Sequence, residues 1–258
     1  MSTSSLFVRD TPSAPAPLVR RVLAQGVYEA STMLRNGEQL VLMIILPVLG
    51  LVALAVTPVL DGFGTSRVNV AVPGILALCA LSTAFTGQGI ATGFDRRYGV
   101  LRYLATTPLG RAGLIAGKVI AVLAALVIQV AIIAVVALFM GWRPNPAGLL
   151  IGVPLLVLGA VTFTALGLLI AGTVRPEATL AITNLGWILL AAVGGIILPT
   201  AKYSATMGTI AQWLPSGALG EAMRAALVHG RVDVFAVFIL LGWGILCSAA
   251  AIKWFKWN

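Results

Sequence analysis

The sequence predicts an all-α integral membrane fold with six transmembrane helices, and three observations carry that expectation. The 258 residues are 59% hydrophobic and 10% charged, with a mean hydropathy of +1.02, whereas a soluble domain carries about 25% charged residues. Six stretches are long enough for the ~20 apolar residues that cross a bilayer and contain no Asp, Glu, Lys, Arg or His. The seventeen cations gather mostly at the ends of those stretches, where Lys and Arg orient membrane spans. No aromatic platform is interleaved with them, so the net charge of +9 implies no nucleic-acid partner.

In chain order, residues 1–17 are rich in Ser, Thr and Pro and read as a disordered tail without a cleavable signal. Residues 18–38 predict an amphipathic interfacial helix. Leu18, Val22, Val27, Ala30, Met33 and Leu34 recur at helical spacing, opposite Arg21, Gln25, Glu29, Thr32 and Arg35, with Arg20 beside them. The six-span domain occupies 39–258, with spans expected at 40–60, 70–94, 119–139, 149–172, 180–198 and 234–252. Within 199–233, the charge-free stretch 203–220 is too short and too polar for a span. It predicts one or two short helices, re-entrant or interfacial, broken at Pro215. Six spans put twelve cations on the side of the N-terminus and of loop 94–118, against five on the other. The positive-inside rule then places both termini in the cytoplasm of a multi-pass inner-membrane protein.

Reactive chemistry is sparse. Cys79 and Cys247 lie inside apolar runs and have no partners for a metal site. The single His229 follows an amphipathic stretch and reads as solvated. Gly117-Lys118 ends like a phosphate loop, but Val119 replaces the required Ser/Thr, so no ATP site is expected. Transport coupled to ions or protons usually needs ionisable groups within the membrane, and the spans have none. Their strongest polar groups are Gln88, Gln129 and Asn184, which either bond between helices or line a substrate path. Three functions stay open on this footing: a transport subunit energised from elsewhere, a membrane scaffold, or an enzyme built on His229, Asp61 or Asp233.

Loop 94–118 holds Asp95-Arg96-Arg97, then Gly99-Val100-Leu101-Arg102-Tyr103-Leu104, then Thr107-Pro108-Leu109, Arg111 and Gly117-Lys118. A turn is expected near Pro108, because proline disfavours helix at the preceding residue. The apolar positions Val100, Leu101, Leu104 and Leu109 suggest a surface that sits in a groove of a soluble partner. This order resembles the cytoplasmic motif of type-2 ABC exporter permeases. The segment Pro215…Glu221-Ala222-Met223-Arg224…Gly230 is similar to the family's segment before its last span. Asp95 departs from the Glu common there.

The resemblance implies a drug- or lipid-exporting permease that binds no cofactor itself. Two ABC ATP-binding subunits would hold ATP and Mg, and a second permease copy or homologue would complete a dimer in the lipid bilayer; lipid-linked glycans are the alternative cargo. The loop becomes the ATPase-coupling element through Asp95, Arg96, Arg97, Leu101, Arg102, Leu104, Thr107, Pro108 and Leu109. Glu221 and Arg224, three apart on a short helix, pair with each other or, with Pro215, form an outer gate.

Overall fold

The computed structural model describes residues 15–63 and 65–256, so most of the expected disordered tail lies outside the described residues. Among these, every regular element is helical. Helix α1 (Leu18–Arg35) leads into α2 (Gly37–Val56), and a column from α3 (Arg67–Ala80) passes through a π-helical segment, Leu81–Gly87, into α4 (Gln88–Arg97). The short α5 (Val100–Ala105) joins it to α6 (Gly110–Phe139) and α7 (Pro146–Thr173). Then come α8 (Pro176–Ala192), α9 (Ala205–Trp213), α10 (Pro215–His229) and α11 (Val234–Trp254).

Among the described residues, four helical stretches are long and apolar enough to cross a membrane: Arg67–Arg97, Gly110–Phe139, Pro146–Thr173 and Val234–Trp254. Met43–Val56 is a shorter apolar helix. Three expected spans differ in extent, the third because its helix already begins at Gly110 rather than at 119. The first ends at Val56, followed by a 3₁₀ turn at Pro58–Leu60. The fifth stops at Ala192, short of 198. There Gly194 and Gly195 interrupt an apolar run, and Gly195 adopts φ +66°, a conformation that side chains with a Cβ resist. Hydropathy scores such a stretch as span, but the backbone cannot continue as helix.

Local chemistry sets the other ends. Pro146, Pro176 and Pro215 open α7, α8 and α10, where their missing N–H is no loss. Asn145 caps α7 by accepting from Ala147 and Gly148, and Asp233 caps α11 by accepting from Ala236. The core joins Leu81, Phe85, Phe163 and Leu219 from the column, α7 and α10.

The π-helical segment is a crossroads. Ser82 accepts from Trp187 Nε1 of α8 at 2.9 Å, and Thr83 donates to Gln129 of α6 at 3.0 Å. A Cβ on Gly167 of α7 would lie 2.6 Å from the Phe85 carbonyl. The widened turn and the missing side chain together bring two long helices into backbone contact.

Helix α1 packs along α6 rather than standing clear of it. A Cβ on Gly26 would lie 2.7 Å from Ile120 Cγ2, and one on Gly117 the same distance from Gln25 Cγ. That crossing turns Gln25, Gly26 and Met33 inward and leaves Leu18, Val27 and Tyr28 exposed. The expected division of faces is corrected accordingly: Gln25 and Glu29 belong to the packed side, because α6 offers a cation there.

Candidate functional site

That cation is Lys118, and its side chain is 0% exposed. Its ammonium lies 2.9 Å from Glu29 Oε1 of α1 and 3.2 Å from Asp95 Oδ2 of α4. Gln25 Nε2 donates to Glu29 at 2.9 Å. One lysine therefore pins three helices. A buried charge survives only when paired and hydrogen-bonded. Lys118 had read as a cation of the loop; the structure makes it an interior residue of α6.

Arginines of the same region complete helix ends. Arg96 donates to the carbonyls of Ala171 and Val174 at the end of α7, at 3.2 and 2.7 Å. Arg111 does the same for Ile252 and Lys253 at the end of α11. Cations at helix C-termini satisfy orphan carbonyls and oppose the dipole.

Gly99, at φ +78°, breaks α4 from α5. Leu101 is 0% exposed and packs with Leu109, Leu114 and Phe255, with Val22 and Leu104 against them. The expectation that Leu101 and Leu109 present an outer contact is thus corrected: they anchor α5 to the bundle. Thr107 donates to the Leu104 carbonyl at 2.6 Å and tightens the turn before Pro108. What faces outward is Tyr98, Val100, Arg102, Tyr103 (72% exposed), Thr106 and Pro108, with Arg97 alongside. Of the interfacial residues, Arg20 and Arg35 are exposed, Arg21 is half-buried and Glu29 turns inward.

Between α1, α4 and α5 lies a cleft of about 390 Å³ lined by Glu29, Asp95 and Gln88 among others. Gln88 is buried, its amide nitrogen 3.7 Å from Met33 Sδ and its Oε1 without a partner among the described residues. The other polar residues suggested for a path part company with it. Gln129 bridges Thr83 to the Met43 carbonyl, holding α2, the π segment and α6 together. Asn184 is exposed on α8.

At the opposite end, Arg224 is buried and donates to the carbonyls of Ile196, Gly195 and Leu198 at 3.1, 2.6 and 3.4 Å. It also bonds Glu221 Oε1 at 3.0 Å, and that oxygen accepts from Thr200 N at 2.7 Å. Burial works to raise the Glu221 carboxyl, but the Arg224 charge and the Thr200 N–H hold it below its ordinary range. Pro215 starts α10 here. These residues clamp the irregular chain that follows α8.

Sequence reasoning missed the Glu29–Lys118 pair and the Gly26–Gly117 crossing. A glycine beside Gln25 and another beside Lys118 were the available signal; their meeting was not.

A profile of the ABC-2 type transporter family matches residues 22–228, the greater part of the chain. The chain belongs to that family. It is an integral, multi-pass membrane protein and a permease component of an ABC transporter, a class whose members associate with ABC ATP-binding subunits and dimerise. No curated protein matches it.

Proposed function

We propose that the chain is the permease of an ATP-driven exporter for a hydrophobic or amphiphilic substrate, energised by two separate ATP-binding subunits and working as a homo- or heterodimer. In this reading it has six spans, with α2 and α8 completing the four long apolar stretches, and both termini lie in the cytoplasm with α5. The chain contributes no ATP or Mg site. The observation that carries the reading is α5 itself: its leucines are sunk into the bundle while Arg102 and Tyr103 stand out from it.

An element anchored inward and exposed outward suits the transfer of a push from a soluble partner. The push would reach α1, α4 and α6 through the Lys118 cluster. Gln88 and its cleft lie on that route. Glu221, Arg224 and Pro215 would brace the outer side rather than open it.

Co-purification from membranes tests this. The permease is expected to retain an ATPase, and Tyr103→Asp with Arg102→Glu to release it while the permease stays folded. Leu101→Asp, by contrast, buries a charge and should cost several kcal/mol of stability, lowering the yield of folded permease itself. A stable complex lacking an ATPase, or unchanged retention in the double variant, overturns the assignment.

A further inference from the structure

The cleft between α1, α4 and α5 carries more chemistry than a coupling joint requires. Among the described residues, its lining includes two carboxylates, Glu29 and Asp95, and no Lys or Arg. Lys118 lies behind it and is shared by both, at 2.9 and 3.2 Å. Two carboxylates against one ammonium leave a formal charge of −1 at the wall. Deeper in, Gln88 is 2% exposed and its Oε1 accepts nothing from the described residues. A buried acceptor without a donor is costly, and such orphans are few in folded proteins. Met33 contributes a soft apolar wall, and the exposed rings of Tyr28 and Tyr103 also line the cleft. Ring faces attract cations. At about 390 Å³ the space lies in the size range of small-ligand sites.

We infer that this cleft binds the primary ammonium head of an amphiphile, with Glu29 and Asp95 supplying the charge and Gln88 Oε1 accepting an N–H. Nothing here requires a permanent positive charge alone: the unpartnered carbonyl oxygen selects a head that can donate. Met33 and the tyrosines receive the first carbons of the tail. The ammonium comes either from an exported molecule or from an aminophospholipid of the bilayer. Taking it as cargo rests on the exporter reading; the binding itself does not.

The test uses the full chain without any ATPase, in phosphatidylcholine nanodiscs, with radiolabelled dodecylammonium as probe and empty discs subtracted. Saturable binding is expected, displaced by unlabelled dodecylammonium but not by dodecyl sulfate or dodecanol. Dodecyltrimethylammonium, which has the charge but no N–H, should compete about tenfold more weakly. Asp95→Asn should weaken the probe's binding about tenfold, and Gln88→Leu should abolish the preference for the primary ammonium. Replacing part of the lipid by phosphatidylethanolamine separates the sources. Suppressed binding identifies a membrane lipid as occupant; unchanged binding identifies a free amphiphile.

No saturable binding, equal competition by dodecyl sulfate, or a head-group preference that survives Gln88→Leu overturns the proposal. The competition series on the unaltered chain decides it even if a variant fails to fold. Because no ATPase takes part, failure here leaves the exporter reading standing, and failed ATPase retention leaves this site standing.

Discussion

Each end of the bundle buries a cation, and the two are satisfied in opposite ways. Lys118 at the α5 end meets side chains from two other helices, Glu29 and Asp95. Arg224 at the α10 end meets Glu221 of its own helix and three carbonyls of one irregular stretch. A point charge on a flexible stem serves the first task, and a planar fork of donors serves the second. The Lys118 contacts lie between elements, so they can break when α1 or α4 moves. The Arg224 contacts replace backbone bonds that a helix would have made, so breaking them unravels the segment. In the proposed reading, the first end is the one that changes and the second the one that stays.

Arg224→Met should have the largest effect, about 4–5 kcal/mol of lost stability, since it orphans three carbonyls and Glu221 together. Thermal unfolding of the purified permease reads it, and Arg224→Lys should recover little, because an ammonium cannot span the three acceptors. Lys118→Met should cost about 3 kcal/mol by leaving two carboxylates facing each other, partly relieved where Asp95 reaches water. The contrast sharpens with compensation. Adding Glu29→Gln and Asp95→Asn to Lys118→Met should restore most of that stability, whereas Glu221→Gln should not rescue Arg224→Met. Equal rescue at both ends would dissolve the distinction.

Gly26→Val should cost about 2 kcal/mol by forcing α1 off Ile120. Limited proteolysis should then release α1 before the rest of the bundle is cut, a sign that the α5 end loosens as a unit. The smallest effect concerns acid. Glu221 titrates below its ordinary range, so its contribution is complete above the unfolded value. It fades as pH falls through the lower folded value. Unfolding midpoints measured downward from neutral pH should show this loss in the native chain and not in Glu221→Gln.

Part of this was legible in advance. The long apolar runs without a charge marked the four helices long enough to cross a membrane, and Pro108 marked the turn that follows α5. Pro215 marked the boundary between α9 and α10. The faces were not legible. Leu101 and Leu104 read as a contact surface because both are apolar and near charges; only Phe255, arriving from the far end of the chain, shows that Leu101 is covered. Lys118 read as a topology marker for the same reason, since its partners come from α1 and α4.

By itself, then, the sequence determined the class of solvent each segment requires, because transfer into lipid is summed residue by residue along the chain. Which of those residues face one another was decided by the tertiary structure. The inward turn of Glu29, the burial of Lys118 and the unanswered oxygen of Gln88 each depend on the Gly26–Gly117 contact or on the crossing of α4. Close packing between distant glycines leaves no trace in a sum over neighbours.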